Sequence, residues 1–404
     1  MCLLRRRNSR RDNGMFQLSR KGDKGAEMSI IYLDHAATTK PSESVLNAMR
    51  DVETKFFANP SSIHQAGREA AEIVHQARET VADFFNCKPN EIYFTSGGCE
   101  SDNWAIKGIA LANKKGKHII TSEIEHIAIK QSCESLKDLG YKTTYIPVNP
   151  DGIVDIQKLE ESIKSDTILV SIMAVNNEVG TIQPIKEISQ ICKKHKVLFH
   201  TDAVQAVGVI DLNVEDLGVD LLSVSSHKFY GPKGVGILYI KDGVEIKSLI
   251  SGSHLRSGTW NVPGIVGTAK ALEIVKNNFY NKKQAVRYLR DYFIHKLVND
   301  IPGVTLNGSL EHRAQGNINI RIDGVNAEAL MMMLDNDGIC VSMGSACNAD
   351  SLEPSRVLMA LGLSEEQAMS SIRITLGDDN TLAEIERVFT TIQKDVEEIR
   401  GMKK

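Results

Sequence analysis

From Ile30 onward, two patterns of apolar and polar residues alternate along the chain. Short apolar runs bounded by turn-forming residues are typical of buried strands, whereas apolar residues spaced three and four apart indicate amphipathic helices. The predicted strands are residues 30–33, 91–95, 118–121, 143–148, 168–175, 197–202, 219–224 and 235–240. The predicted helices are residues 41–54, 62–86, 96–114, 185–194 and one that carries His126. This alternation favours a mostly parallel sheet covered by helices on both faces.

The pattern changes after about Asn261, where a long helix is predicted over residues 265–297. A smaller α+β region follows it. Its predicted strands and helices are residues 304–306, 317–322, 339–341, 356–361, 371–377 and 381–399. We therefore predict a large domain over residues 41–264 and a small domain over residues 265–404, with residues 28–40 packing on the small domain.

Residues 1–27 differ from the rest because they are basic and have no apolar face. They lack the apolar segment of a signal peptide. We interpret them as a disordered tail or as a start codon assigned too early, with Met28 as the true start.

Composition excludes several classes of protein. The chain has 404 residues and a formal net charge of -3, which argues against nucleic acid as its main partner. No apolar run reaches the roughly 18 residues that a membrane helix needs. The seven cysteines are scattered without a CxxC pair, which is neither a disulfide framework nor a zinc site. This usage indicates a reducing compartment, and we predict a cytoplasmic protein.

One lysine has an unusual position. Lys228 follows an apolar run that ends in small hydroxyl residues, and a Gly-Pro turn and a second apolar run come after it. Burial penalises the charged form of lysine, which suits an amine that forms a Schiff base. The alternative is a surface lysine after a strand.

Candidate polar residues share one location in the predicted sheet. Each lies at or just past the carboxyl end of a strand: Gly98, His126, Asn177, Asp202 and Lys228. Ligands of open α/β sheets bind in the crevice beyond these ends. The convergence therefore predicts a binding site at this edge.

The chemistry of these residues points to one cofactor. The glycine turn at Gly98 begins a helix and is a candidate phosphate site, with Ser225 and His227 as further donors. Asp202 is either a helix N-cap or the partner of a protonated ring nitrogen. A phosphate site, a carboxylate and a Schiff-base lysine together indicate pyridoxal phosphate.

Other candidates have both a functional and an ordinary interpretation. His126 could stack on the ring and move protons, or it is a core or surface histidine. Asn177 could bind the cofactor hydroxyl, or it forms a turn; Gln205 is similarly ambiguous. Cys347, in a loop of small residues, could be a nucleophile or sulfur acceptor. Arg373 could clamp a substrate carboxylate, or it forms a surface ion pair.

At this point the chain resembles a known family, the NifS/IscS-like cysteine desulfurases of the class V aminotransferases. The matching stretches are YLDHAATT (32–39), FTSGGCESDN (94–103), HIITSEIEH (118–126), VSIMAVNNEVG (170–180), HTDAVQ (200–205), SSHKFYGPKG (225–234), RSGT (256–259), GSAC (344–347) and SLEPS (351–355). The resemblance implies a fold type I, aspartate aminotransferase-like architecture with a mostly parallel seven-stranded sheet, pyridoxal 5'-phosphate as cofactor and a homodimer.

The resemblance also implies roles for individual residues. Lys228 would hold the cofactor covalently, with Asp202 at the ring nitrogen and Gln205 at the ring oxygen. The residues implied at the phosphate are Gly98, Cys99, Ser225, His227 and, from the other subunit, Thr259. His126 would stack on the ring and transfer protons. Asn177 and Arg373 would bind the carboxylate of L-cysteine, and Cys347 would take the sulfur as a persulfide and leave alanine. Cys347 is also the candidate transient ligand of an iron–sulfur cluster.

The chain departs from the family pattern at four places. Cys99 stands where the family usually has threonine, and the segment before Arg256 is shorter than the family's glycine-rich version. Gly377-Asp-Asp replaces a pattern that usually continues with arginine. The chain stops soon after Arg400, without the tail that IscS-type members use near their scaffold partner, so the usual iron–sulfur scaffold is not required as its acceptor.

The leading prediction is a cysteine desulfurase that supplies sulfur to an acceptor protein, either an iron–sulfur scaffold or a tRNA-thiolation enzyme. Selenocysteine lyase uses the same site and is the near alternative. Transamination or another lyase reaction on this fold needs no loop thiol, so Cys347 separates it from desulfuration. A non-catalytic scaffold is the alternative from a different class, and intact Lys228, Asp202, His126 and Cys347 argue against it.

Overall fold

The structure is a computed structural model that describes residues 30–252, 254–343 and 353–402. The strands are β1 Ile31–Tyr32, β2 Ile92–Thr95, β3 His118–Ser122, β4 Lys142–Ile146, β5 Thr167–Ser171, β6 Leu198–Asp202, β7 Leu221–Ser225, β8 Gly236–Ile240, β9 Val304–Leu306, β10 Asn317–Ile322, β11 Ile339–Cys340 and β12 Ser371–Thr375. The helices are α1 Glu43–Lys55, α2 Gln65–Phe85, α3 Gly98–Ala112, α4 Ile127–Ser135, α5 Ile156–Ser162, α6 Ile185–His195, α7 Val214–Leu217, α8 Val262–Asp300, α9 Ala327–Asn336, α10 Arg356–Ala360, α11 Glu365–Met369 and α12 Leu382–Met402.

Within the described ranges, seven strands form the large sheet in the order β2-β8-β7-β6-β5-β3-β4. Strand β8 is antiparallel to both of its neighbours, and the other adjacent pairs are parallel. The apolar runs of β5, β7 and β8 are buried along their whole length because helices cover both faces of the sheet. Because these five strands run in the same direction, β2, β3, β5, β6 and β7 all end at the same edge of the sheet. The predicted sheet is confirmed.

Helices pack on the two faces of this sheet and bury separate apolar clusters. On one face, α1 and α2 pack against the first part of α8. On the other face, α3 and α4 bury Trp104, Ile109 and Ile129 against the strands. The polar sheet edge between these layers is thereby held on a rigid frame.

A second core lies in the C-terminal part of the chain. Strands β12, β10 and β9 form an antiparallel sheet, and apolar residues of α9 and α12 pack with it. Helix α8 contributes Leu272 to the first core and Phe293 to the second, so it links the two. Strand β1 pairs in parallel with β11, and the Thr375 N–H donates to the Leu33 carbonyl at 2.7 Å. These contacts tie the segment before α1 to the strands of the C-terminal part.

Several predicted boundaries are wrong. Helix α1 does not begin at Pro41, because the Ser42 side chain caps it by accepting from the Val45 N–H at 3.3 Å. The strand predicted over residues 168–175 ends at Ser171, although the apolar run continues in a buried loop. Helices α5, α7, α9 and α11 were not predicted from the sequence. No helix in the part of the chain that the structure describes is long and apolar enough to span a bilayer.

Candidate active site

A cavity of about 410 Å³ lies at the carboxyl edge of the large sheet. The residues predicted to converge there do so, since all of them line it: Gly98, His126, Asn177, Asp202 and Lys228. Cys99, Gln205, Ser225, His227 and Arg373 line the same cavity. The structure therefore brings together residues that are distant in the sequence, such as Gly98 and Arg373, which are 275 positions apart.

Lys228 is held by the loop that follows β1. It ends the short 3-10 turn Ser226–Lys228 directly after β7. Its Nζ donates to the carbonyls of Ala36 at 2.6 Å and Ala37 at 2.7 Å. Gln205 Nε2 donates to the same Ala36 carbonyl at 2.8 Å. The amine thus rests on neutral acceptors inside the cavity, and a carbonyl compound that enters would meet it there.

The turn between β2 and α3 needs glycine. A Cβ on Gly98 would lie 2.8 Å from Val204 Cγ2 and 3.5 Å from Ser225 Cβ, and Gly97 has a φ of +156°. The close approach places the first turn of α3 against the end of β7. Because the first N–H groups of a helix attract anions, this corner of the cavity fits a phosphate group.

His227 lies beside this corner and is neutral. Burial, followed by the charges of Lys228 and Lys233, lowers the pKa of His227 to about 4. Its Nδ1 hydrogen-bonds with Thr38 Oγ1 at 3.0 Å. The contact joins the loop after β1 to the lysine turn.

Asp202 ends β6 and is 4% exposed. Its Oδ1 accepts from the Val204 N–H at 2.9 Å. Burial raises the pKa of Asp202, while the charges of His126 and Lys228 and the Val204 N–H oppose the rise. A buried carboxyl group at the cavity wall fits a protonated ring nitrogen, whose positive charge would stabilise the carboxylate.

The prediction that a helix carries His126 is wrong, because His126 precedes α4. It is the N-cap residue, and its Nδ1 accepts from the Ala128 N–H at 3.2 Å. This bond fixes the ring orientation at the cavity wall.

Arg373, on β12, reaches the cavity from the C-terminal part of the chain and is 2% exposed. Its Nη1 donates to the Asn177 carbonyl at 3.1 Å and its Nη2 to Asp34 Oδ1 at 2.8 Å. Its Nε is buried without a hydrogen-bond partner among the described residues. The guanidinium is thus oriented by two hydrogen bonds, and its Nε–H can donate to a bound ligand.

Among the described residues, one predicted site residue is not brought to the cavity. Thr259 is exposed and does not line the cavity within the described chain. Cys347 lies outside the described residues, as does its predicted role as an iron–sulfur ligand. In residues 30–252, 254–343 and 353–402, no cluster of three His, Cys, Asp or Glu side chains is placed to hold a metal ion.

The sequence did not reveal several charged residues around the site. Arg256 forms two hydrogen bonds with Glu100, at 3.0 and 3.2 Å, which anchors the shortened segment to the first turn of α3. Asp102 and Glu125 are fully buried and line the cavity, as does Arg356 beside them. Glu125 directly precedes His126 and Asp102 lies four residues after Gly98, and this proximity in the sequence is the signal that could have found the two acids.

The donor set fits pyridoxal phosphate. An amine, a buried carboxylate and a glycine turn at a helix N-terminus line one cavity, contributed by Lys228, Asp202 and Gly98. These are the groups that would hold its aldehyde, ring nitrogen and phosphate.

Comparison with known proteins agrees with this geometry. The aminotransferase class-V family matches residues 31–388. A cysteine desulfurase IscS of Dictyoglomus turgidum is 47% identical over 92% of this chain and 95% of its own, and one of Methanosarcina thermophila is 46% identical over 93% and 94%. A solved NifS-like protein, 38% identical, superposes with a TM-score of 0.86 over 91% of this chain and 100% of its own. The chain belongs to the aminotransferase class-V family and, within it, to the cysteine desulfurases with the type I pyridoxal-phosphate fold.

Proposed function

We propose that this chain removes sulfur from L-cysteine in the cavity at Lys228, releases L-alanine and holds the sulfur as a persulfide on Cys347. The observation that carries the proposal is the meeting of Lys228, Asp202 and Arg373 at one cavity. A solved structure described as SspA in complex with cysteine supports the substrate, being 37% identical with a TM-score of 0.76 over 87% of this chain.

Enzymes of this family depend on pyridoxal phosphate. When bound, the cofactor withdraws electrons from the substrate carbons and so makes the substrate sulfur open to attack by a thiolate. Lys228 would attach it, Asp202 would pair with its ring nitrogen and Gln205 with its ring oxygen. The corner formed by Gly98, Cys99, Ser225 and His227 would hold its phosphate.

Arg373 and Asn177 would orient the substrate. The guanidinium of Arg373 already lies against the Asn177 carbonyl, and its buried Nε is available for a carboxylate. An arginine that holds a carboxylate fixes the direction in which the substrate sulfur points.

The sulfur transfer needs no reactant other than L-cysteine and the Cys347 thiolate. The Cys347 thiolate forms an S–S bond to the substrate sulfur as the C–S bond breaks, and the electron pair stays with carbon. That carbon takes a proton, for which His126 and Lys228 are the groups at the cavity wall. Alanine leaves, and the persulfide passes its outer sulfur to an acceptor protein.

The assembly and its setting are part of the proposal. A homodimer would bring Thr259 of each subunit to the phosphate of the other, consistent with its exposure in the single chain. The acceptor is an iron–sulfur scaffold or a tRNA-thiolation enzyme, and the scattered cysteines favour the cytoplasm.

Borohydride reduction of the holoenzyme tests the attachment site, because reduction fixes the cofactor on the lysine that holds it. Mass spectrometry of the digest should find the label on Lys228 and should find none in Lys228→Ala. Lys233→Ala is the matched control, since Lys233 is exposed in the same turn region and should leave labelling intact. A label on another lysine in the native enzyme would refute the proposal.

A further inference from the structure

Three carboxyl groups besides Asp202 are buried at the cavity, those of Asp102, Glu125 and Glu178. Asp102 is 1% exposed and Glu125 is 2% exposed, and both line it. Asp102 Oδ1 and Glu125 Oε2 have no hydrogen-bond partner in the described part of the chain. A buried, ionised oxygen without a hydrogen-bond partner is energetically costly, so burial disfavours the ionised form of both groups.

Asp202, Glu125 and Asp102 have unequal partners. Asp202 receives the Val204 N–H at 2.9 Å and the attraction of His126 and Lys228. Glu125 Oε1 receives the Ser122 hydroxyl at 2.6 Å and the Met173 N–H at 2.9 Å, which are both neutral donors. The positive charge of Lys228 therefore favours Asp202 as the group that keeps the negative charge.

Asp102 belongs to a chain of buried polar groups. The Ser223 hydroxyl hydrogen-bonds with it, and Ser223 Oγ also lies 2.9 Å from His200 Nε2. His200 Nδ1 lies 2.9 Å from Ser171 Oγ. Burial lowers the pKa of His200 to about 3, so this histidine is neutral and supplies no charge to Asp102. A neutral Asp102 could donate into this chain.

The pKa shifts of Glu125 and Asp102 agree with their hydrogen-bond partners. Burial, with the charge of Asp202 in addition, raises the pKa of Glu125 to about 8. Burial and Asp202 also raise the pKa of Asp102 well above its ordinary value. The titratable and charged groups around the pair are His126, Cys133, Glu178, His200, Asp202, Lys228 and Arg356, the last donating to the Glu125 carbonyl at 3.4 Å.

We propose that Glu125 and Asp102 are neutral acids that flank Asp202, so that Asp202 is the anion among these three carboxyl groups. The two acids are positioning residues that act through Asp202. This inference rests on the proposed function, which places the ring nitrogen of the cofactor at Asp202. Ionisation of Glu125 would add a second negative charge beside Asp202 and alter the protonation of the bound cofactor.

The first test uses the cofactor-free full-length chain and is independent of the proposed function. A neutral acid in the native state releases its proton on unfolding, so the unfolding constant rises tenfold per pH unit for each such group. Between about pH 5.5 and about pH 7.5, Glu125→Gln and Asp102→Asn should each show a rise about hundredfold smaller than the native chain. Glu123→Gln, an exposed acid two residues from Glu125, should match the native chain. Native-like slopes in both buried variants would overturn the proposal.

The second test follows the cofactor absorption band of the holoenzyme against pH. Glu125→Gln and Asp102→Asn should keep the native band at neutral pH, whereas Asp202→Asn should shift it. A spectral transition near pH 8 should be present in the native enzyme and in Glu123→Gln and absent in Glu125→Gln. A neutral-pH shift like that of Asp202→Asn in either variant would overturn the proposal. Failure of every variant to bind cofactor would refute the proposed function instead, with the unfolding slopes still deciding the carboxyl groups.

Discussion

Arg373 Nη2 lies 2.8 Å from Asp34 Oδ1 and joins β12 to the segment that follows β1. The arginine side chain is 2% exposed and the aspartate side chain 19% exposed, so the pair is largely withdrawn from water. Because the same guanidinium lines the cavity, Asp34 orients the cation that a substrate carboxylate would meet.

Asp34→Ala should destabilise the enzyme, since it leaves a buried cation without its carboxylate. We expect the free energy of unfolding to fall by about 3 kcal/mol, at the lower end for a broken buried pair. The KM for cysteine should rise roughly tenfold, with a smaller change in kcat. Asp34→Asn should lose less, because it keeps an acceptor. Urea denaturation and steady-state kinetics measure both. The exposed Lys55–Asp51 pair gives the control, as Asp51→Ala should cost less than about 1 kcal/mol; equal losses would contradict the prediction.

The Arg256–Glu100 pair should control cofactor affinity. Glu100 Oε2 also accepts from the Ser96 N–H at 2.6 Å, so the pair braces the turn that precedes α3. Burial would raise the pKa of Glu100, but hydrogen bonds from Arg256 and Ser96 outweigh it and lower the pKa. Arg256→Ala should weaken cofactor binding about tenfold, the size of one charge-assisted hydrogen bond.

Spectroscopic titration of the cofactor-free enzyme measures this affinity. Lys276→Ala breaks an exposed ion pair with Asp83 at 2.6 Å and should leave the affinity unchanged. Equal affinities of the Arg256→Ala and native enzymes would show that the Arg256–Glu100 pair does not contribute to cofactor binding.

Cys99 is exposed at the start of α3 and lines the cavity at the phosphate corner. A thiol donates a weaker hydrogen bond than a hydroxyl. Cys99→Thr and Cys99→Ser should therefore tighten cofactor binding about threefold to tenfold, the size of one ordinary hydrogen bond. Cys99→Ala, which removes the thiol and adds no hydroxyl, is the control and should not tighten it. If all three variants bind alike, this side chain does not contact the phosphate.

His200 should make the cofactor-free enzyme less stable in acid. Its pKa is about 3 when folded and near the ordinary 6.5 when unfolded, so the unfolded chain binds the extra proton between these values. The unfolding constant should thus rise up to tenfold for each unit that pH falls below about 6.5. His200→Gln should remove this part of the slope, whatever its effect on stability at pH 7. His75→Gln, at a half-exposed position, should keep it; an unchanged slope in His200→Gln would contradict the assignment.

The sequence predicted the large sheet well because its strands are strongly apolar and polar residues follow their carboxyl ends. Gly98, Asp202 and Lys228 stand next to such ends, so a parallel arrangement brings them together without knowledge of side-chain contacts. The roles of these residues remain predictions.

What the sequence could not predict depends on contacts between distant segments. Arg256 and Glu100 are 156 positions apart, and neither differs locally from an exposed charged residue. Glu125 and Asp102 look like solvated acids in a turn and a helix, and burial becomes evident only in three dimensions. Strand β1 has two residues and owes its existence to pairing with β11.

The most direct test of the account is a mass measurement of the enzyme after reaction with L-cysteine, with alanine measured in the same sample. We predict one added sulfur atom on the peptide that contains Cys347 and one alanine for each persulfide formed. Cys347→Ala should still change its cofactor band on addition of cysteine but should carry no added sulfur, and Lys228→Ala should do neither. Alanine formation by Cys347→Ala at the native rate, or a persulfide on another cysteine of the native enzyme, would contradict the account.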